Sequence, residues 1–256
     1  MQKTDSLKYL RILPIPLLIG VWEILARAGF LNRALFPSPS DVVLAFGKMT
    51  LSGELFFDIG ATLLRVFFGF VFGSMLGILI GVLTARIKIL DILFGQIIQI
   101  LRPIPPIALV PLAVVWLGLG EFSKITIITW GVFFPVWVNT YIGVAGVDHS
   151  VIWAAQSLGA NRRRVLFRVV LPASFRHVIA GMRVAIAIAF ICVVVAEMLG
   201  ASRGLGFRIN TSYLVFRVDK MMVDLIMLGL LGAITDWLFI QSINKFMPWY
   251  ILNSNH

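Results

Sequence analysis

Residues 153–172 read WAAQSLGANRRRVLFRVVLP, a hydrophilic and basic island between long apolar runs. Its punctuation is that of two short helices meeting at a corner. Asp148 or Ser150 can cap a first helix through Val151, Ile152, Ala154, Ala155 and Leu158, which Gly159 can close in the left-handed conformation. Asn161 is placed to cap a second helix. That helix turns Val165, Leu166, Val169 and Val170 to one side and leaves Arg162, Arg163, Arg164 and Arg168 mostly on the other, until Pro172. The expectation is helix, glycine elbow, helix, within a loop of about residues 148–176. Small residues at Ala154, Ala155 and Gly159 suit insertion of this knob into a partner's cleft. An amphipathic hairpin held by anionic lipid fits the same residues.

The surroundings of the island place it at a membrane. The chain is 59% hydrophobic and 13% charged, with a mean hydropathy of +0.96, whereas soluble domains carry about 45–50% apolar residues. The net charge of +10 does not indicate nucleic acid, because the cations lie between apolar runs of spanning length instead of along one face. A helix needs about 20 apolar residues to cross the hydrocarbon. Six segments qualify: 11–29, 60–85, 89–118, 122–147, 177–200 and 221–246. The fold expected is therefore an all-α membrane protein of about six transmembrane helices, with residues 1–256 as one transmembrane domain. No small-residue cleavage site follows the first apolar run before Arg27, so that run reads as a retained span.

Orientation follows from the cations. With the N-terminus inside, the cytoplasmic stretches hold Lys3, Lys8 and Arg11, then Arg86 and Lys88, then Arg162, Arg163, Arg164, Arg168 and Arg176, and finally Lys245. Arg203, Arg208, Arg217 and Lys220 on the other side leave the bias modest, and the arginine cluster after the fourth span decides for both termini inside.

Two spans are unusual. The second carries Gly69, Gly73, Gly77 and Gly81 at intervals of four, a ridge along which another backbone can approach closely within the chain or across a dimer. The third carries Arg102-Pro103-Ile104-Pro105-Pro106 and then Pro111. No continuous helix tolerates that density of prolines, and broken helices at membrane depth lie against protein or face a cavity. Arg102, Pro103, Pro105 and Pro106 are candidate translocation-path residues.

Charges inside the spans cost about 2.5–3.5 kcal/mol each at the bilayer centre. Asp224, Arg102, Arg183 and Arg65 lie near predicted edges, where arginines can snorkel. Glu197, in the apolar run Ile191–Met198, needs a backbone amide or an arginine as partner, and joins the candidate path residues. Asp236 also falls within a span. Cys192, the sole cysteine, reads as packing. His149, His177 and His256 have no ligand spacing, so neither a metal site nor a catalytic constellation is expected. No G-x-x-x-x-G-K-[ST] phosphate loop occurs, and Gly47-Lys48 lacks both the earlier glycine and the following hydroxyl.

The pattern Ala154-Ala155, Gly159, Val169, Leu171-Pro172 resembles the coupling loop of binding-protein-dependent ABC importer permeases. The likeness covers nearly the whole chain. Leu35-Phe36-Pro37-Ser38-Pro39-Ser40, Arg102 to Pro106, Phe134-Pro135-Val136-Trp137-Val138-Asn139-Thr140, Gly143-Val144 to Val147-Asp148, and Val195-Ala196-Glu197-Met198 with Gly204-Leu205-Gly206 are similar to the alkanesulfonate, taurine and nitrate branch. Trp153 stands where that family usually has an acidic residue.

The resemblance implies the type I importer permease fold and a multi-pass place in the bacterial cytoplasmic membrane. It further implies a homodimer working with two cytoplasmic ATPase subunits, which hold the ATP and magnesium, and with an extracytoplasmic solute-binding protein. Trp153, Ala154, Ala155, Gly159, Ala160, Leu171 and Pro172 would then engage the ATPase. The expected cargo is a small anion, aliphatic sulfonate or taurine ahead of nitrate, bicarbonate or a pyrimidine vitamin precursor. Two rival readings are a proton-coupled secondary transporter with Glu197, Asp224 and Asp236 as carriers, which has no need of the loop, and a scaffolding membrane protein, which leaves the broken span unexplained.

Overall fold

Long apolar runs punctuated by glycine and proline can satisfy their backbone polar groups in lipid only as helices, and helices are what the chain forms. The computed structural model describes residues 14–30, 32 and 34–246. In chain order these are α1 (Pro14–Arg27), α2 (Pro39–Leu51), α3 (Glu54–Arg86), α4 (Lys88–Leu101), α5 (Pro106–Leu117), α6 (Glu121–Ala145), α7 (His149–Ser157), α8 (Arg162–Gly200), α9 (Leu205–Leu214) and α10 (Val218–Phe246).

Four of these, α3, α6, α8 and α10, are long and apolar enough to cross a membrane, and the bent pair α4 and α5 can make a fifth span. Where the sixth span was expected, the described residues form α1, 14 residues long and by itself short of the length that crosses a membrane; residues 11–13 of that expectation, with Lys3, Lys8 and His256, lie outside the described residues. The helix α2 was not expected. Ser38 caps it, with Asp41 answering in a capping box, and Glu23 of α1 accepts the Ser40 backbone N–H at 3.1 Å.

The glycine ridge of α3 decides how the bundle packs, and it is spent within the chain. A β-carbon on Gly73 would stand 2.7 Å from Val132 and 2.8 Å from the Thr129 carbonyl; on Gly77 it would meet the Phe133 carbonyl at 2.9 Å, and on Gly81 Thr140 at 2.8 Å. Gly69 faces Ile128 in the same way. Backbone therefore lies on backbone along α3 and α6, where dispersion contacts replace the hydrophobic drive absent from lipid. At one end the Trp137 indole N–H donates to the Thr84 hydroxyl at 3.2 Å. The other flank of α6 receives α8, and Val132, Val136, Ala185, Ala189 and Val193 are fully buried. Leu79, Leu225 and Leu230 remain exposed on outward faces, as lipid or a second chain requires.

Two proline sites behave differently. At Arg102–Pro105 the ladder breaks and α5 leaves α4 at 101°, because Pro103, Pro105 and Pro106 all lack the N–H that would continue it. Pro172, expected to end the second loop helix, does not. The helix runs on from Arg162 to Gly200, with Leu166–Val170 widened into a π turn immediately before Leu171-Pro172. A wide turn there relieves the clash between the proline ring and the preceding turn. The second half of the loop is thus the first part of a spanning helix.

Candidate functional site

Two regions at opposite ends of α8 concentrate the polar chemistry. The first is the loop. The Asp148 carboxylate accepts the Ser150 backbone N–H at 2.8 Å, and this bond holds the carboxyl below its usual range. Gly159 adopts φ +83°, with open space around its α-carbon. The elbow is thus required by backbone conformation and not by crowding. The Asn161 side chain accepts the Arg164 N–H at 2.9 Å.

Beneath the corner, Val144, Ile152, Val165 and Val170 form a small core, joined by Ala155 and Ala160. This core makes the knob rigid. Its outer side shows Trp153 at 65% exposure and Leu158 at 89%, with Ala154, Pro172 and the arginines Arg162, Arg163, Arg164 and Arg168 exposed around them. Leu171 is half-buried. Exposed apolar groups inside a ring of cations suit a protein-binding patch and equally a surface that meets anionic lipid. The sequence reading placed Leu158 on the helix without marking it as an outward anchor. Its position one residue before the elbow is the signal that could have done so.

The second region lies at the far end of α8 and is built around Glu197, which is fully buried. The helix α9 begins there, and the N–H groups of a helix's first turn have no partners within the helix. Carboxylates and a hydroxyl from other helices supply them. Gly204 donates to Asp58 at 2.9 Å, Leu205 to the Thr62 hydroxyl at 3.0 Å and Gly206 to Glu197 at 2.8 Å. Gly204, at φ +124°, and Gly206 leave no room for a side chain, since a β-carbon at Gly204 would stand 2.5 Å from the Glu197 carboxyl carbon. Negative charge at a helix N-terminus is further favoured by the helix dipole.

Arg65 completes the arrangement. It donates to Glu197 at 2.7 Å, to the Arg203 carbonyl at 2.7 Å and, through two nitrogens, to both oxygens of Glu121 on α6. Next to it Arg208 pairs with Asp58 at 2.9 Å and approaches Asp224 of α10 at 3.4 Å. Asp58, Arg65, Glu197, Arg208 and Asp224 thus join α3, α8, α9 and α10, with Glu121 adding α6. Two expectations are corrected. Arg65 does not snorkel, being 6% exposed and ion-paired; Asp224 does not rely on a membrane edge, being fully buried beside Arg208. Glu197, for which either an arginine or a backbone amide was expected, has both, Arg65 and the Gly206 N–H. Asp58 and Thr62 were missed, because nothing near them in sequence marks their partners.

The remaining candidates lie apart from this cluster. Arg102 and Pro106 line a cleft of about 370 Å3 with Phe134, Pro135 and Asn139, while Pro103 and Pro105 are exposed beside it. Glu197 is enclosed elsewhere. The structure therefore divides the expected path residues between an open cleft at the broken helix and a sealed carboxylate near the end of α8.

A bundle with a glycine-elbowed loop at one end and a broken helix in its wall is the architecture of an ABC importer permease. Residues 73–241 match the family described as binding-protein-dependent transport system inner membrane component, and the chain belongs to that family. Its relatives include SsuC of Bacillus subtilis, named for aliphatic sulfonates transport, 32% identical over 91% of this chain and 84% of its own. Another is the taurine transport system permease protein TauC of Escherichia coli, 30% identical over 92% and 88%. Among solved structures, the permease fold recurs in the MetNI methionine ABC transporter in an inward-facing conformation. That match has a TM-score of 0.65 and 20% identity, and covers 75% of this chain and 95% of that one. The chain is a permease subunit, with its fold of the type I importer kind, and not an enzyme.

Proposed function

We propose that this chain is the membrane-spanning half of an ATP-driven importer for a small organic anion, aliphatic sulfonate or taurine, in the cytoplasmic membrane of a bacterium. Two copies form the path, two cytoplasmic ATPase subunits bind ATP and magnesium, and an extracytoplasmic binding protein delivers the solute. Both termini and the α7 loop face the cytoplasm. The whole chain, 1–256, acts as one transmembrane unit.

The observation that carries this reading is the rigid, exposed knob of α7, Gly159 and the start of α8. Trp153, Ala154, Ala155, Gly159, Ala160, Leu171 and Pro172 lie on or directly under it. Docked in an ATPase cleft, a knob with its own core transmits displacement instead of deforming. The names of the relatives supply the substrate class, and the broken α4–α5 span supplies a cleft, beside Arg102 and Pro106, of the kind that lines a path.

The test is ATP hydrolysis by the chain reconstituted with its ATPase and binding protein, screened with aliphatic sulfonates, taurine and nitrate. Stimulation by a sulfonate or by taurine is expected. A complex that assembles and responds to none of them would overturn the substrate class. Uptake that persists without the ATPase but collapses with the proton gradient would overturn the mechanism.

A further inference from the structure

The Arg183 guanidinium on α8 donates through two nitrogens to both oxygens of Asp236 on α10, each at 3.1 Å. Arg183 was expected to snorkel to an edge; instead it is held sideways against a neighbouring span. The pair is only half-covered, with side chains 48% and 34% exposed. It opens onto a groove of about 600 Å3 whose walls mix small residues, Ala187, Gly229, Gly232 and Ala233, with the larger apolar Ile186, Phe190 and Leu228.

Depth makes this placement informative. At 1.5 Å per residue, Asp236 lies about 14 Å from Lys245 along α10 and about 27 Å from Val218. Along α8, Arg183 lies about 18 Å from Leu171, where the helix leaves the loop, and about 26 Å from Gly200 by the same measure. An aspartate is too short to reach either interface from there. Exposed to hydrocarbon, even a paired charge loses its hydration without full compensation. Charged groups at such depth face protein interior or water, and the groove beside this pair is open, not packed.

We propose that the α8–α10 groove is a wall of the aqueous solute path, with Arg183 the group that meets the passing anion and Asp236 the counter-ion it exchanges. The bidentate fork of an arginine fits a sulfonate as well as a carboxylate. A solute oxyanion can therefore take the place of Asp236 at Arg183, with the released Asp236 carboxylate hydrated by the water of the groove until the solute leaves. The small wall residues leave width for the solute. The choice of an anion rests on the reading of the cargo given above, whereas the hydration of the groove is inferred from the half-covered ion pair and the open space beside it.

The experiment uses the full transporter with Ala187→Cys or Ala233→Cys as reporters and a membrane-impermeant anionic thiosulfonate as probe. Native Cys192, 2% exposed, serves as background, and Leu79→Cys on the exposed apolar face of α3 as comparator. Only a hydrated thiol ionises and reacts, so the groove positions are expected to label at least about ten-fold faster than Leu79→Cys, and more slowly with sulfonate present. Labelling as slow as Leu79→Cys would overturn the wet groove. For the anion contact, Arg183→Gln is expected to lower sulfonate uptake per ATP hydrolysed about ten-fold, with Arg183→Lys retaining part of it. The neutral pair Arg183→Gln with Asp236→Asn is expected not to restore uptake; restoration would reduce the pair to a structural contact and overturn the proposal. If no sulfonate stimulates the native complex, the cargo reading fails, and labelling at Ala187→Cys still decides the groove.

Discussion

Arg65 donates to the Glu197 carboxylate at 2.7 Å across 132 residues of sequence. The pair is the knot of a cluster in which Glu197 also receives Gly206 and Thr62. Glu197 has no exposed surface and Arg65 almost none, so each is tolerable in the bundle only because of the other and of the hydrogen bonds around them.

Removing one charge should therefore destabilise more than removing both. Glu197→Gln is expected to cost about 3–5 kcal/mol, the usual range when a buried pair loses one member. The measurement is unfolding of the purified chain in detergent, followed by temperature or denaturant. The double substitution Glu197→Gln with Arg65→Gln should recover part of the loss. A midpoint for Glu197→Gln equal to that of the native chain would refute the knot.

Gly73 and Gly60 lie on the same helix and should respond oppositely to alanine. A β-carbon at Gly73 meets α6 at 2.7–2.8 Å, whereas nothing stands within 4 Å of one at Gly60. Gly73→Ala is expected to destabilise by about 1–3 kcal/mol through overpacking. Gly60→Ala should stabilise by up to about 1 kcal/mol, from helix propensity and a restricted unfolded chain. Equal shifts in the same unfolding experiment would contradict the close contact of α3 with α6.

At Gly159 the prediction concerns transport and not stability. Its φ of +83° strains a β-branched residue, yet the space around it is empty. Gly159→Val is expected to leave membrane insertion intact and to separate ATP hydrolysis from uptake, whereas Gly159→Asn, which tolerates the left-handed region, should retain most coupling. Uptake by Gly159→Val at the native rate would show the elbow to be dispensable.

The Asp148 cap gives the loop a defined response to acid. Its carboxyl titrates below the ordinary value because the Ser150 N–H stabilises the charged form. Its contribution is therefore complete above the ordinary carboxylate pKa of about 3.9 and is lost as pH falls through the lowered folded value. Amide exchange in α7 should be protected alike, after correction for intrinsic rates, from pH 8 to 5. Below about pH 4 the helix start should fray. Asp148→Asn, a good uncharged cap, should abolish the acid fraying; persistence of the fraying in that variant would assign it elsewhere.

What the sequence disclosed was local. Gly159, Asn161 and Asp148 act on neighbours within three residues, so their capping roles could be read in order along the chain. The ridge of Gly69 to Gly81 and the prolines from 103 to 106 are likewise patterns internal to one helix. Arg65 was misjudged because its partners Glu121 and Glu197 lie on two other helices, and a lone arginine near a span end looks the same whether it snorkels or pairs. Asp58, Thr62 and Asp224 were obscured for the same reason. Pro172 misled in a different manner: proline usually stops a helix, and the π turn that accommodates it leaves no mark in composition.

That accommodation has a mechanical consequence. Because α8 is continuous over 39 residues, the arginine-rich knob and the Glu197 knot are carried by a single rod, about 58 Å long at 1.5 Å per residue. A break at Pro172 would have made a universal joint there, absorbing any push at the knob. Without one, tipping the rod by about 5° about its knob end would carry the Glu197 end sideways by about 5 Å over that length. The knot would then have to travel with the rod or come undone.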